Sequence, residues 1–284
     1  MVGGREPPSY CAPVRPPREE DLHAPEFPPR MDWLNVAFLR MDRLMGRSAA
    51  LVEFWDFARI NSLRTLPYLE AWHERYRDAG LRVIGVHCPA YSFGRDNETV
   101  ARAVERLGIE YAVLLDPAFS VWRLYGNRGW PGRYLFDRRG VLRYVHYGEG
   151  DYLDCELAIG EALTELDADF EALPPLAPVR PEDAPGVKLE PQTADIALPG
   201  DLERLTLVRD WLPGEDYLEA EDAGAAAEFT YSGGEAWAVL SGADRDPGLY
   251  EASGGRVVAD DPGLRLHAVQ FTPASPGQPR SSAG

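Results

Sequence analysis

Leu51-Val52-Glu53-Phe54-Trp55-Asp56-Phe57-Ala58-Arg59-Ile60-Asn61-Ser62-Leu63-Arg64-Thr65-Leu66-Pro67 is an apolar run that ends at a short polar turn and passes into a helical pattern. Leu51 to Trp55 has the length and composition of a buried strand, and apolar residues recur at helical spacing from Leu63. The stretch is a strand running into a helix N-terminus. The first N–H groups of a helix have no partner within it, and its dipole adds partial positive charge there. Such a turn favours a thiolate or another anion.

Outward from this point, strands and helices alternate. Leu63 to Ala79 repeats Leu66, Leu69, Trp72 and Tyr76 on one helical face, and Gly80 supplies the stop. Leu81 to His87 reads as a second buried strand, Asn97 to Leu107 as a helix ended by Gly108, Tyr111 to Leu115 as a short strand, and Ala118 to Tyr125 as a short helix ended by Gly126. Tyr134 to Phe136 and Val141 to Tyr147 flank Asp137-Arg138-Arg139-Gly140 as an antiparallel hairpin, and Asp151 to Leu166 is an amphipathic helix. The order predicts an α/β unit with a mostly parallel sheet and crossover helices.

The frame Phe54-Trp55, Ile60-Asn61 and Leu63-Arg64-Thr65-Leu66-Pro67 closely resembles the active-site segment of thioredoxin-like proteins of the TlpA, DipZ and AhpC/TSA type. Family positions are also matched by Val83 to His87, Gly108 to Tyr111, Tyr125 to Arg128, Trp130-Pro131 and Tyr144 to Gly150, with a lead-in from Ala24 to Pro28 and Met31 to Asn35. The resemblance covers roughly residues 24–166 and implies a thioredoxin fold, a central mixed sheet flanked by helices. In that family the turn carries two cysteines that exchange disulfides. Here Arg59 and Ser62 stand in their places, and the redox pair alone is gone.

With 284 residues, 45% hydrophobic, the chain has material for two modest domains. A net charge of −17 argues against nucleic-acid and anionic-membrane surfaces, which need concentrated Lys and Arg. Cys11, Cys88 and Cys155 fit neither a disulfide framework nor a zinc site. With no apolar leader and no spanning segment, the expectation is a cytoplasmic protein. Composition divides the chain into a disordered tail (1–27), the thioredoxin-like domain (28–170), a Pro-rich acidic linker (171–192), a smaller all-β sandwich domain (193–273) and a disordered C-terminal tail (274–284). Short strands over Leu205–Val208, Tyr217–Ala220, Ala225–Tyr231, Ala236–Leu240, Gly248–Glu251, Arg256–Val258 and Leu264–Phe271 argue the sandwich. It resembles, more weakly, the carbohydrate-binding-like module that follows the thioredoxin domain in DipZ-type proteins. Trp211, Tyr217, Trp237 and Tyr250 are its candidate sugar-stacking aromatics, or else its core.

The candidate binding residues are Arg59, Asn61, Ser62, Trp130 and Pro131. Guanidinium and free helix N–H groups suit a carboxylate or phosphate, and Ser62 equally suits a helix-start residue that satisfies backbone donors. The resemblance implies a cis bond at Trp130-Pro131 beside the turn, with Trp130 walling a peptide groove. The reading is a redox-inactive protein that binds a peptide, protein or small anion at the former active-site cleft. One alternative is AhpC/TSA-type thiol oxidoreductase or peroxidase chemistry at Cys88, which closes a strand whose carboxyl end faces the same cleft. Another is a structural scaffold in which the sandwich packs over the dead site. His87 and His146 lack metal-ligand spacing, and neither a metal nor a cofactor is implied.

Overall fold

The computed structural model describes residues 22–189, 191–252 and 254–274. Its first domain is built on a six-stranded mixed sheet in the order β1-β4-β3-β2-β5-β6. β2 (Ala49–Trp55) lies between β3 (Leu81–His87), with which it runs parallel, and β5 (Gly132–Phe136), which runs antiparallel. β4 (Ala112–Leu115) adds a third parallel strand, while β1 (Asp32–Leu34) and β6 (Leu142–Tyr147) form antiparallel edges. This is the mixed sheet of the thioredoxin fold.

Every residue of β2 is buried, which is why it reads as an unbroken apolar run apart from Glu53. Arg133 stands opposite Glu53 on β5, with Nε 3.1 Å from Oε2 and both side chains wholly buried. The guanidinium also lies over the rings of Trp72 and Tyr152, at 5.4 and 5.3 Å. A glycine at position 85 makes room for this layer, since a Cβ there would come within 2.8 Å of Trp55 Nε1.

α1 (Met41–Leu44) precedes β2, and α2 (Ile60–Tyr76) follows it, burying Leu66, Leu69, Trp72 and Tyr76 on the sheet. α2 begins three residues before the apolar periodicity does, so Ser62 falls inside its first turn. α3 (Asn97–Leu107) is capped by the Asp96 side chain at Thr99 N–H and ends at Gly108 with φ +70°. α4 (Ser120–Leu124) and α5 (Tyr152–Leu166) complete the domain. In the β5–β6 turn the buried Asp137 carboxylate accepts from Arg139 N–H and Val141 N–H and pairs with Arg143, which fixes the hairpin.

Two segments expected to be loose are tied down. At the end of the supposed N-terminal tail, His23 bridges to Val141, and buried Phe27 packs on Trp33 and Tyr125 at 5.3 and 6.2 Å. Residues 1–21 and 275–284 lie outside the described residues, as does Cys11. The Pro-rich stretch is held along α2 and α5: Leu176 N–H donates to Glu156, Val179 N–H to the Tyr68 hydroxyl, and that hydroxyl to Asp183. Arg64 adds a bond to Glu182 at 2.9 Å. Polar groups regularly placed on two helices anchor a segment whose own composition shows no periodicity.

The second domain is all antiparallel. One sheet runs β13 (Arg245–Glu251), β12 (Ala236–Gly242), β15 (Arg265–Phe271), β10 (Leu218–Ala220), β9 (Trp211–Pro213), with β7 (Ile196–Ala197) also on β15. The other runs β14 (Arg256–Val258), β11 (Ala226–Glu228), β8 (Thr206–Val208). Leu240, Leu266, Val269 and Phe271 enter the sandwich core, whereas Val239 and Ala268 join the core of the thioredoxin domain. β12 and β15 are therefore covered on both sides. The four candidate aromatics do not form one platform: Trp211 is buried in the core, Tyr217 meets His267, and Trp237 and Tyr250, one step apart in the ladder, project from opposite sides of the sheet.

Candidate functional site

The turn between β2 and α2 is organised by Asp56. Its carboxylate accepts from Ala58 N–H at 2.6 Å and from Ala90 N–H at 2.7 Å, joining the turn to the end of β3. Asp56 was not singled out from the sequence, although an aspartate directly after a buried strand is the residue type that nucleates such a turn. Its own N–H points to Ser62 Oγ at 3.4 Å. Ser62 is buried and faces inward, where an external ligand does not reach it.

Arg59 is the N-cap residue of α2, with no side-chain cap bond. Its guanidinium lies 3.3 Å from Asp195 of the second domain and over the rings of Trp130 and Tyr91, at 5.1 and 5.7 Å. Burial, opposed by Arg59, raises the pKa of Asp195 from its ordinary value. Trp130 donates from Nε1 to the Cys88 carbonyl at 3.0 Å and packs on Trp122. The Trp130–Pro131 bond is cis, and Pro131 is buried. Arg59, Ser62, Trp130 and Pro131 are thus gathered around one turn, with Asn61 in the first turn of α2.

What fills the space before α2 comes from the second domain. Gln270 on β15 accepts from Ile60 N–H through Oε1 at 2.8 Å and donates through Nε2 to the Ala58 carbonyl at 2.8 Å and to the Tyr91 hydroxyl at 3.0 Å. The Ile60 N–H, expected to be open to an anion, is already paired. Tyr91 is buried in the same contact, and burial pushes its hydroxyl up to about 12. No local signal marks Gln270: it is one polar residue in the apolar run Val269-Gln270-Phe271.

Cys88 does not open into a cleft. Its thiol is buried and directed at Asp116 Oδ2, 3.6 Å away; burial and then the Asp116 carboxylate push its pKa far up. A peroxidatic cysteine needs the opposite, a depressed pKa beside a cation. Cys155 is equally buried, its pKa pushed up to about 12. His87 and His146 lie in no metal-binding group, and none of three or more such ligands occurs among the described residues.

A mixed sheet in this order, with a strand–turn–helix at its centre, defines the first domain as thioredoxin-like. Residues 41–145 match the AhpC/TSA family. Protein DipZ of Mycobacterium bovis is 34% identical over 173 residues, which are 60% of this chain and 25% of DipZ. The chain therefore spans about a quarter of the length of that relative. Among solved structures, a thiol-disulfide isomerase from Corynebacterium glutamicum covers 50% of this chain and 97% of its own, at 24% identity and a TM-score of 0.43. A secreted disulfide oxidoreductase of Mycobacterium tuberculosis is similar over 43% of this chain and 87% of its own, at 15% identity and a TM-score of 0.37.

These relatives overturn the expected cytoplasmic location. That expectation rested on the number of cysteines and on the residues with which the sequence opens, and neither reports a compartment. No helix among the described residues is long and apolar enough to cross a membrane.

Proposed function

We propose that the chain is a redox-inactive thioredoxin-like scaffold whose former active-site turn is the socket for its own β-sandwich. The observation that carries this reading is Gln270, which engages both the first N–H of α2 and the carbonyl just before it. Disulfide exchange needs one thiolate to attack and a second to resolve. Arginine and serine at positions 59 and 62 do neither, and Cys88 is held as a neutral thiol. A protein, peptide or small anion from outside meets the half-exposed Arg59 guanidinium over Trp130, not the Ser62 hydroxyl.

The reading is tested by insulin disulfide reduction with dithiothreitol as the electron source. Turnover at the background rate is expected. Turnover above background overturns the redox-inactive assignment, and its loss in Cys88→Ser would trace it to that thiol.

A further inference from the structure

The contact between the domains has a second polar centre, separate from Gln270, and it contains a buried base. Asp216, in the loop before β10, accepts from Ser92 N–H at 2.6 Å and from the Ser92 hydroxyl at 2.9 Å. Behind Asp216 lies His267, at the point where the pairing of β12 with β15 shifts register. Nδ1 of His267 is 3.0 Å from the Asp216 carbonyl oxygen and 3.4 Å from Oδ1, both acceptors, so Nδ1 carries the proton. Nε2, 2.8 Å from Ser241 Oγ, then accepts from that hydroxyl. The neutral ring has both nitrogens in use. The order Ser241–His267–Asp216 is that of a hydrolase triad, but Ser241 is buried and no substrate reaches it in this arrangement.

The ring is enclosed by aromatics from both domains: Phe93 edge-on at 4.8 Å, Tyr217 at 5.4 Å and Tyr91 at 5.6 Å. A second buried histidine borders the same layer. His87 stacks on Phe57 at 5.4 Å, and Phe57 in turn lies 5.7 Å from Phe93. Nε2 of His87 has no hydrogen-bond partner and is 3.7 Å from Asp56 Oδ2.

We propose that this layer is an acid-sensitive joint, in which proton uptake by His267 releases the sandwich and uncovers the start of α2. The inference rests on the reading that the sandwich occupies the former site. A protonated His267 must donate from Nε2 to Ser241 Oγ, which forces the serine hydrogen to turn away from the ring and give up its bond to it. The charged groups facing the ring are Asp216, which favours the cation, and Arg265, which opposes it; Tyr91 and Tyr217 are the titratable neighbours across the layer, with the Arg59–Asp195 pair beyond Tyr91. Burial outweighs the pull of Asp216 and lowers the pKa of His267, and burial likewise outweighs Asp56 at His87.

The direction of the effect follows. In the open arrangement the His267 ring meets water and titrates near the ordinary value of about 6.5, whereas in the closed one it takes a proton only at lower pH. The closed joint has its full stability above about 6.5 and loses it as pH falls below that value toward the lowered pKa.

Hydrogen exchange on the full chain at pH 7.5 and 5.5, corrected for intrinsic rates, tests this at the amides of Ile60 and Ser92, which both donate to sandwich side chains. At pH 5.5 the exchange of both is expected to rise severalfold, with about tenfold as the ceiling for one histidine, while Val83 in β3 stays unchanged. His267→Asn, which keeps a donor toward Asp216, should remove most of that rise. Small-angle X-ray scattering of the unaltered chain gives a second reading that needs no variant, with a larger radius of gyration expected at the lower pH. Strong protection of Ile60 that is equal at both pH values, equal radii, or a full acid response in His267→Asn overturns the acid-sensitive joint alone. Weak protection of Ile60 already at pH 7.5 overturns the socket reading instead.

Discussion

Gln270→Ala is the substitution that weighs the socket most directly. The side chain makes three hydrogen bonds, to Ile60 N–H, the Ala58 carbonyl and the Tyr91 hydroxyl, and all three bonds are buried. Truncation strands one donor, one acceptor and one hydroxyl. A buried polar group left unpaired costs about 1–3 kcal/mol, but water entering beside half-exposed Arg59 recovers part of the loss. Taking roughly one full penalty for the Ile60 N–H and about half for each of the others gives about 3 kcal/mol. At about 1.4 kcal/mol per factor of ten, this is a change on the order of 100-fold in the equilibrium between docked and released sandwich. Exchange of the Ile60 amide at neutral pH reads that equilibrium, and denaturant unfolding followed by Trp fluorescence reads its share of stability. Protection of Ile60 unchanged within a factor of two in a folded Gln270→Ala protein refutes the reasoning, since the amide would then owe its protection to something other than the sandwich.

Other consequences are sharper in sign than in size. In a Cys11→Ser background the folded protein should give no titratable thiol with an aromatic disulfide reagent at pH 8, and two on unfolding, because burial holds Cys88 and Cys155 protonated. Arg133→Met should cost about 3–5 kcal/mol of stability by denaturant titration, as it strands the Glu53 carboxylate in the core, and adding Glu53→Met should recover much of the loss. Equal stability of the single and double variants would show that the pair is not coupled.

Much of the first domain is legible along the chain. Leu51 to Trp55 reads as a buried strand because β2 is covered on both faces, and Gly108 marks the end of α3 because only a residue tolerant of φ +70° closes that helix cheaply. The helix start is less legible: Ile60 to Ser62 lack apolar spacing, and they turn helical because Asp56 ties the preceding loop at Ala58 and Ala90. Segments rich in proline are misread for a related reason. Residues 174–183 have no pattern of their own, and their order comes from Glu156, Tyr68 and Arg64 on helices far away in sequence.

The sequence alone determined the strand–turn–helix, an arginine and a serine at positions 59 and 62, and the change from an alternating α/β unit to a run of short strands. Each is a local property, carried by residue type and short-range periodicity. Whether the turn is open to a ligand was decided only in the tertiary structure, by a glutamine 210 residues away in the chain that places its amide against the first N–H of α2. A hydrogen bond of that span depends on how two folded surfaces meet. Nothing in the spacing of residues 51–67 reports whether the donors at a helix start face water, an anion or another part of the same chain.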